Sequence, residues 1–139
     1  MPELPEVETI VREVRPHLAG CRIVSVHVDW PRVIAAPAED AEGFCTGARG
    51  RRIVDVRRRG KYVLLALDDG SWILIHLRMS GRLVLSPIGR PEHLRVAFGL
   101  NARDACLPDE TLYFYCQRKF GRVWLVDDPD EVVGGLGPE

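Results

Sequence analysis

The sequence predicts a mainly β protein: an antiparallel sandwich of about eight strands behind one N-terminal α-helix. Two observations carry that reading. Helical apolar spacing occurs once, before Gly20, and beyond it short alternating runs follow one another between turn signals. A series of short strands of this kind closes into a sandwich or a barrel. With 139 residues the chain suits one domain, and a hydrophobic content of 46% is enough to fill its core.

The helix is expected over residues 5–19. Val7, Ile10, Val11, Val14 and Leu18 form one apolar stripe. Pro5 suits the first turn, where a missing N–H costs nothing, and Glu6 and Glu8 complement the positive end of the helix dipole. Gly20 is the expected stop. The strands are then RIVSVHV, RRIVDV, KYVLLAL, WILIHLRM, RLVLS, LRVAFGL, TLYFYC and RVWLV. Asp68-Asp69-Gly70-Ser71 reads as the turn of a hairpin over residues 61–79. Residues 31–47, with Pro31, Pro37 and Gly43, read as an irregular connection. The closing GGLGPE is linker-like, so residues 1–133 read as the domain and 134–139 as the start of a linker.

Composition excludes several classes. No apolar run approaches the roughly 18–20 residues of a membrane span, and the amino terminus lacks a secretory signal, so a soluble intracellular protein is expected. Cys21, Cys45, Cys106 and Cys116 form no CxxC pair, which argues against a metal site and for small buried residues. The net charge of −1 conceals an uneven distribution. Residues 49–61 hold seven basic residues and one acid, and the last thirteen residues hold five acids and no base. The basic stripe points to a nucleic-acid partner; its plainer reading is a solvated strand face.

Three stretches carry possible chemistry. In MPELPE, removal of Met1 would free the secondary amine of Pro2. Such an amine attacks an aldehyde or acetal-like carbon and gives a cationic iminium, an electron sink. Its pKa lies near neutrality, and Glu3 beside it suits general acid–base work, with Glu6 placed to hold the amine or the first-turn N–H groups. Capping alone accounts for Pro5, Glu6 and Glu8 but leaves Pro2 and Glu3 unexplained. In GKYVLLAL…WILIHLRMSG, Lys61 and His76 suit phosphate binding, and Met79 sits at a turn. In YCQRKFGRVW, Arg118 and Phe120 put a cation beside an aromatic, which suits stacking on bases or wedging into a duplex. Taken singly, His76 reads as a strand histidine, Met79 and Phe120 as core and Arg118 as surface.

Together MPELPEVET, GKYVLL with HLRMSG, QRKFG and LGPE resemble the N-terminal domain of the formamidopyrimidine-DNA glycosylases of the Fpg/Nei family, along essentially the whole chain. The resemblance implies a base-excision repair enzyme that removes oxidised bases, of the 8-oxoguanine and formamidopyrimidine kind, from damaged double-stranded DNA and then cleaves the strand as a β,δ-lyase. It implies that Pro2 is the nucleophile on C1′, that Glu3 is its acid–base partner and that Glu6 helps position the amine or the sugar. Lys61 would contact the backbone at the lesion and His76 a neighbouring phosphate. Met79, Arg118 and Phe120 would fill the void left by the flipped base. A monomeric full-length enzyme in the bacterial cytoplasm, associated with the nucleoid, is implied, with no membrane partner.

This sequence departs from the pattern. CQRKFG stands where many relatives have D-P-R-R-F-G, and Arg78 stands where a small residue is common. The family's helix–two-turn–helix and zinc finger have no counterpart, so no cofactor is expected in this stretch and little activity is expected from it alone. While Met1 remains, the Pro2 nitrogen is a tertiary amide and no nucleophile. The alternatives are a non-catalytic homologue that only binds damaged DNA and a small-molecule tautomerase with a proline base; the arginine stripe does not suit the latter.

Overall fold

The computed structural model describes residues 4–36, 40–77, 81–89, 91–102, 109–116 and 121–133, without the side chains of Leu4 and Pro5. Helix α1 spans Leu4–Leu18. Its apolar stripe is buried as spaced: Val7, Val11, Val14 and Leu18 all lie in the core and Ile10 packs against it. The helix lies along β3 (Ile53–Arg59), where the Arg15 Nε donates to the Val56 carbonyl at 2.7 Å. At the helix end the Gly20 N–H donates to the Ile53 carbonyl at 2.7 Å, so chain reversal and docking onto the sheet are one event.

All eight expected strands are present, arranged in two facing sheets. One holds β1 (Arg22–Val28), β7 (Leu94–Asn101), β8 (Glu110–Cys116) and β6 (Gly81–Val84), in the order β1-β7-β8-β6. The other holds β3, β4 (Tyr62–Leu67), β5 (Trp72–His76) and β9 (Arg122–Val126), and a ninth strand, β2 (Ile34–Ala36), closes its edge in the order β2-β9-β5-β4-β3. Every pairing is antiparallel except β2 with β9, which is parallel. Inward residues of both sheets, among them Ile23, Phe98, Phe114, Val63, Leu65, Ile73 and Ile75, fill one core that α1 completes. Outside the five-stranded sheet, Leu64 and Leu74 form a second apolar layer with Val133 of the short helix α3 (Asp130–Val133).

The stretch 31–47 corrects the sequence expectation. Its described residues form regular elements: a 3-10 turn over Pro31–Val33 leads into β2, and helix α2 spans Ala41–Ala48. Asp40 caps α2, its Oδ1 accepting the Gly43 N–H at 2.8 Å, and Phe44 and Ala48 bury one face at i, i+4 spacing. Phe44 meets Phe98 with ring centroids 6.2 Å apart. Among the described residues no helix is long and apolar enough to cross a membrane.

Candidate functional site

Strand register places the Lys61 turn, His76 and Arg122 together at one end of the five-stranded sheet. Strands β3 and β4 are joined by the two-residue turn Gly60-Lys61, closed by the pair Arg59–Tyr62. Gly60 has φ +60°, the positive value that two-residue hairpin turns need and that glycine adopts without strain. Lys61 is therefore held at a rigid strand end. Across the sheet, Tyr62 pairs with His76 and His76 pairs with Arg122. The Tyr62 ring stands edge-on to the His76 ring at 4.5 Å and lies 5.6 Å from that of Trp124. His76 is only 7% exposed.

At this same end the chain crosses twice between the sheets. One crossing runs from His76 at the end of β5 to Gly81 at the start of β6, and the other from Cys116 at the end of β8 to Arg122 at the start of β9. The two are neighbours at both feet, since His76 pairs with Arg122 in one sheet and Gly81 with Cys116 in the other. Both feet are tightly fitted. The Gly81 N–H donates to the Leu77 carbonyl at 2.9 Å, and a Cβ on Gly81 would lie 2.2 Å from that oxygen. A Cβ on Gly121 would lie 2.5 Å from Cζ of the buried Phe114. The buried Arg95 anchors the second crossing, its Nε donating to the Cys116 carbonyl at 3.2 Å.

Helix α1 joins this end through an arginine. Arg58 Nε donates to Glu8 Oε2 at 2.7 Å and Arg58 Nη1 to the Gly60 carbonyl at 3.0 Å. Of the sequence-predicted residues, Glu6 is exposed in the first turn of α1, Lys61 is half-buried in its turn and His76 is buried at a strand end. Pro2, Glu3, Met79, Arg118 and Phe120 lie outside the described residues. Sequence reasoning missed Arg58, Glu8, Tyr62 and Arg95 as members of the constellation. Pairing with Val63 turns Arg58 inward, a signal that strand parity carries.

The basic stripe is less free than its composition suggests. Arg57 Nε donates to Asp55 at 3.0 Å, with its guanidinium over the Trp72 ring. Arg58 meets Glu8, Arg59 meets Asp130 and Arg51 meets Asp69. Arg52 Nη1 donates to the Gly20 carbonyl at 2.5 Å. Much of this charge fastens the fold, and the positive potential at the site is smaller than a count of arginines implies. An open groove of about 460 Å³, lined in part by Arg51, Asp69, Asp127 and Glu131, lies beside the β4–β5 turn, at the opposite end of the five-stranded sheet.

Among the described residues, three carboxyls are held below the ordinary range: Glu8 by its hydrogen bond from Arg58, Asp55 by that from Arg57 and Asp69 by that from Ser71. Because the folded values are depressed, the stability they supply is present above the unfolded carboxylate pKa and is lost as pH falls through the folded values. The expected result in urea titrations is a flat plateau near neutrality and a fall in midpoint below about pH 4. In R58M the Glu8 share of that acid limb is reduced, with the charges of Arg12 and Arg15 still acting on the carboxylate.

A two-sheet sandwich with a terminal helix docked at a tight, partly basic end defines the class. The chain belongs to the family described as formamidopyrimidine-DNA glycosylase N-terminal domain, which it matches over residues 1–123. It is 39% identical over 142 residues to a formamidopyrimidine-DNA glycosylase of Protochlamydia amoebophila, covering 100% of this chain and 49% of that one. It is 44% identical over 128 residues to that of Chloroflexus aggregans, covering 91% and 44%. Among solved structures it is similar to the MutM (Fpg) protein of Thermus thermophilus, with TM-score 0.78, 38% identity and coverage of 99% and 47%. A Lactococcus lactis formamidopyrimidine-DNA glycosylase bound non-covalently to AP-site DNA superposes with TM-score 0.79 at 29% identity, covering 96% and 48%. The chain thus spans about half the length of the relatives it matches.

Proposed function

We propose that this chain is the catalytic N-terminal part of a base-excision repair DNA glycosylase that is also an abasic-site lyase, acting on duplex DNA that carries oxidised bases. The observation that supports it best is the convergence of α1, the Lys61 turn and both inter-sheet crossings at one end of the sandwich. The relatives in complex with AP-site and Fapy-dG DNA support the choice of partner.

The chemistry follows from a free Pro2 amine. Its lone pair bonds to C1′ as the C1′–N bond to the damaged base breaks, and the base leaves with a proton. Opening of the sugar ring puts a proton on O4′ and leaves an iminium between Pro2 and C1′. The iminium acidifies C2′; loss of that proton expels the 3′ phosphate, and a second elimination expels the 5′ phosphate. Glu3 moves these protons and Glu6 steadies the amine or the sugar. Lys61 and His76 hold flanking phosphates. Met79, Arg118 and Phe120 occupy the space of the extruded base, offsetting part of the few kcal/mol that extrusion costs. We assign residues 134–139 to a linker and the remaining DNA grip, with its zinc, to the half present in relatives. The 139 residues alone then bind DNA weakly and excise little. A monomer at the bacterial nucleoid fits these roles.

Borohydride trapping on an abasic-site duplex tests the proposal. The protein at its natural length, with Met1 absent by intact mass, is expected to form a covalent adduct whose peptide map ends at Pro2. No adduct with DNA affinity intact would leave a protein that recognises damage without chemistry.

A further inference from the structure

We propose that Arg58 is a positioning residue that sets where the amino terminus lies relative to Lys61. The inference rests on the reading that Pro2 and Lys61 serve one site. It starts from strand parity in the triple arginine of β3. Arg57 pairs with Leu64 and Arg59 with Tyr62, on the outer face; Arg58 pairs with Val63, whose side chain is in the core. Its side chain is 19% exposed, against 61% for Arg57 and 31% for Arg59. An inward arginine at the end of a core is costly to keep unless its donors are used.

Both of its described contacts go to segments that carry proposed catalytic groups. Nε reaches Glu8, in the second turn of the helix that begins just after Pro2 and Glu3. Nη1 reaches the carbonyl of Gly60, the residue bonded directly to Lys61. A planar guanidinium spans two such acceptors at once, which the single point charge of a lysine does not. Arg12 steadies the other Glu8 oxygen, with Nε 3.6 Å from Oε1.

The rest of α1 is fastened independently. Arg15 donates to the Val56 carbonyl and lies 3.7 Å from Asp55, and Val7, Val11, Val14 and Leu18 are buried. Losing the Arg58 contact therefore leaves the helix docked and removes the tie between its Glu8 turn and the Lys61 turn. The effect falls on the approach of the amine to the sugar, where a displacement of about 1 Å costs up to roughly 100-fold in rate.

The test uses the protein at its natural length, with Met1 absent, and compares wild type, R58K and E8Q. The probe is an abasic-site duplex, and the readouts are borohydride-trapping rate, duplex affinity and urea midpoint. The expected result is a trapping rate lowered roughly 10- to 100-fold in R58K, and lowered also in E8Q, with wild-type affinity for the duplex. E8Q decides the matter if R58K does not fold. A fall in urea midpoint with unchanged trapping per folded molecule overturns the proposal, because Arg58 is then only a fastener. Affinity and trapping falling together also overturn it, because the residue then acts on binding. If wild type itself gives no adduct, the nucleophile reading fails and the proposal with it; if wild type traps and both variants match it, only the positioning role fails.

Discussion

A protein that keeps Met1 is expected to give no covalent adduct with an abasic-site duplex under borohydride, while the same protein beginning at Pro2 gives one. With Met1 attached, the Pro2 nitrogen belongs to a peptide bond, and its lone pair is delocalised into the carbonyl. It cannot attack C1′ or form an iminium. Every other side chain is unchanged, so the comparison isolates one nitrogen. Loss of a nucleophile of this kind costs at least about 10³-fold, judged by what its removal costs in other covalent enzymes. The measurement is the trapped fraction against time for two preparations distinguished by intact mass. An adduct that survives with Met1 in place would move the nucleophile to a lysine, and peptide mapping would identify which.

Gly81→Ala is the second substitution with a large expected effect. The added Cβ would sit 2.2 Å from the Leu77 carbonyl oxygen and 2.7 Å from the Leu77 Cα. Both are backbone atoms, so no rotamer relieves the clash and the crossing between β5 and β6 has to shift. The cost to stability is about 3 kcal/mol, the upper part of the range for overpacking. Function is affected as well, because Gly81 pairs with Cys116 and any shift reaches the second crossing. Trapping is expected to fall by about 100-fold. Leu83→Ala is the matched comparison: it removes a buried side chain two residues further along β6 and leaves the crossing alone. Equal losses of trapping in the two variants at matched stability would show that the fit at Gly81 has no special bearing on the site.

The parts of the fold that follow from local pattern were legible. The stripe from Val7 to Leu18 predicts α1 to within a residue at each end, and alternation finds eight strands. The elements that escaped are those made by distant partners. Strand β2 is three residues long and exists because Ile34 pairs in parallel with Val123. Helix α2 contains Gly43 and Gly47, which local propensity counts against a helix; burial of Phe44 and Ala48 outweighs it. The site was legible as a set of motifs and not as a constellation. Nothing in HLRMSG or QRKFG states that the two are neighbours at both feet, because that follows from strand order. The arginine stripe misled in the opposite direction, since Glu8, Asp69 and Asp130, which meet its members, lie elsewhere in the sequence.

The strand order also sets a timetable for synthesis. In one sheet β1 waits for β7, and in the other β2 waits for β9, the last of these nine strands to emerge. At roughly 5–20 residues per second, several seconds separate the emergence of Ile34 from that of Val123. Over that interval the helix and the β3–β4–β5 meander have all their sequential neighbours, whereas the row from Tyr62 through His76 lacks Arg122. The segment that carries the proposed nucleophile is thus made first, and the row beside the Lys61 turn is completed only when Arg122 emerges to pair with His76.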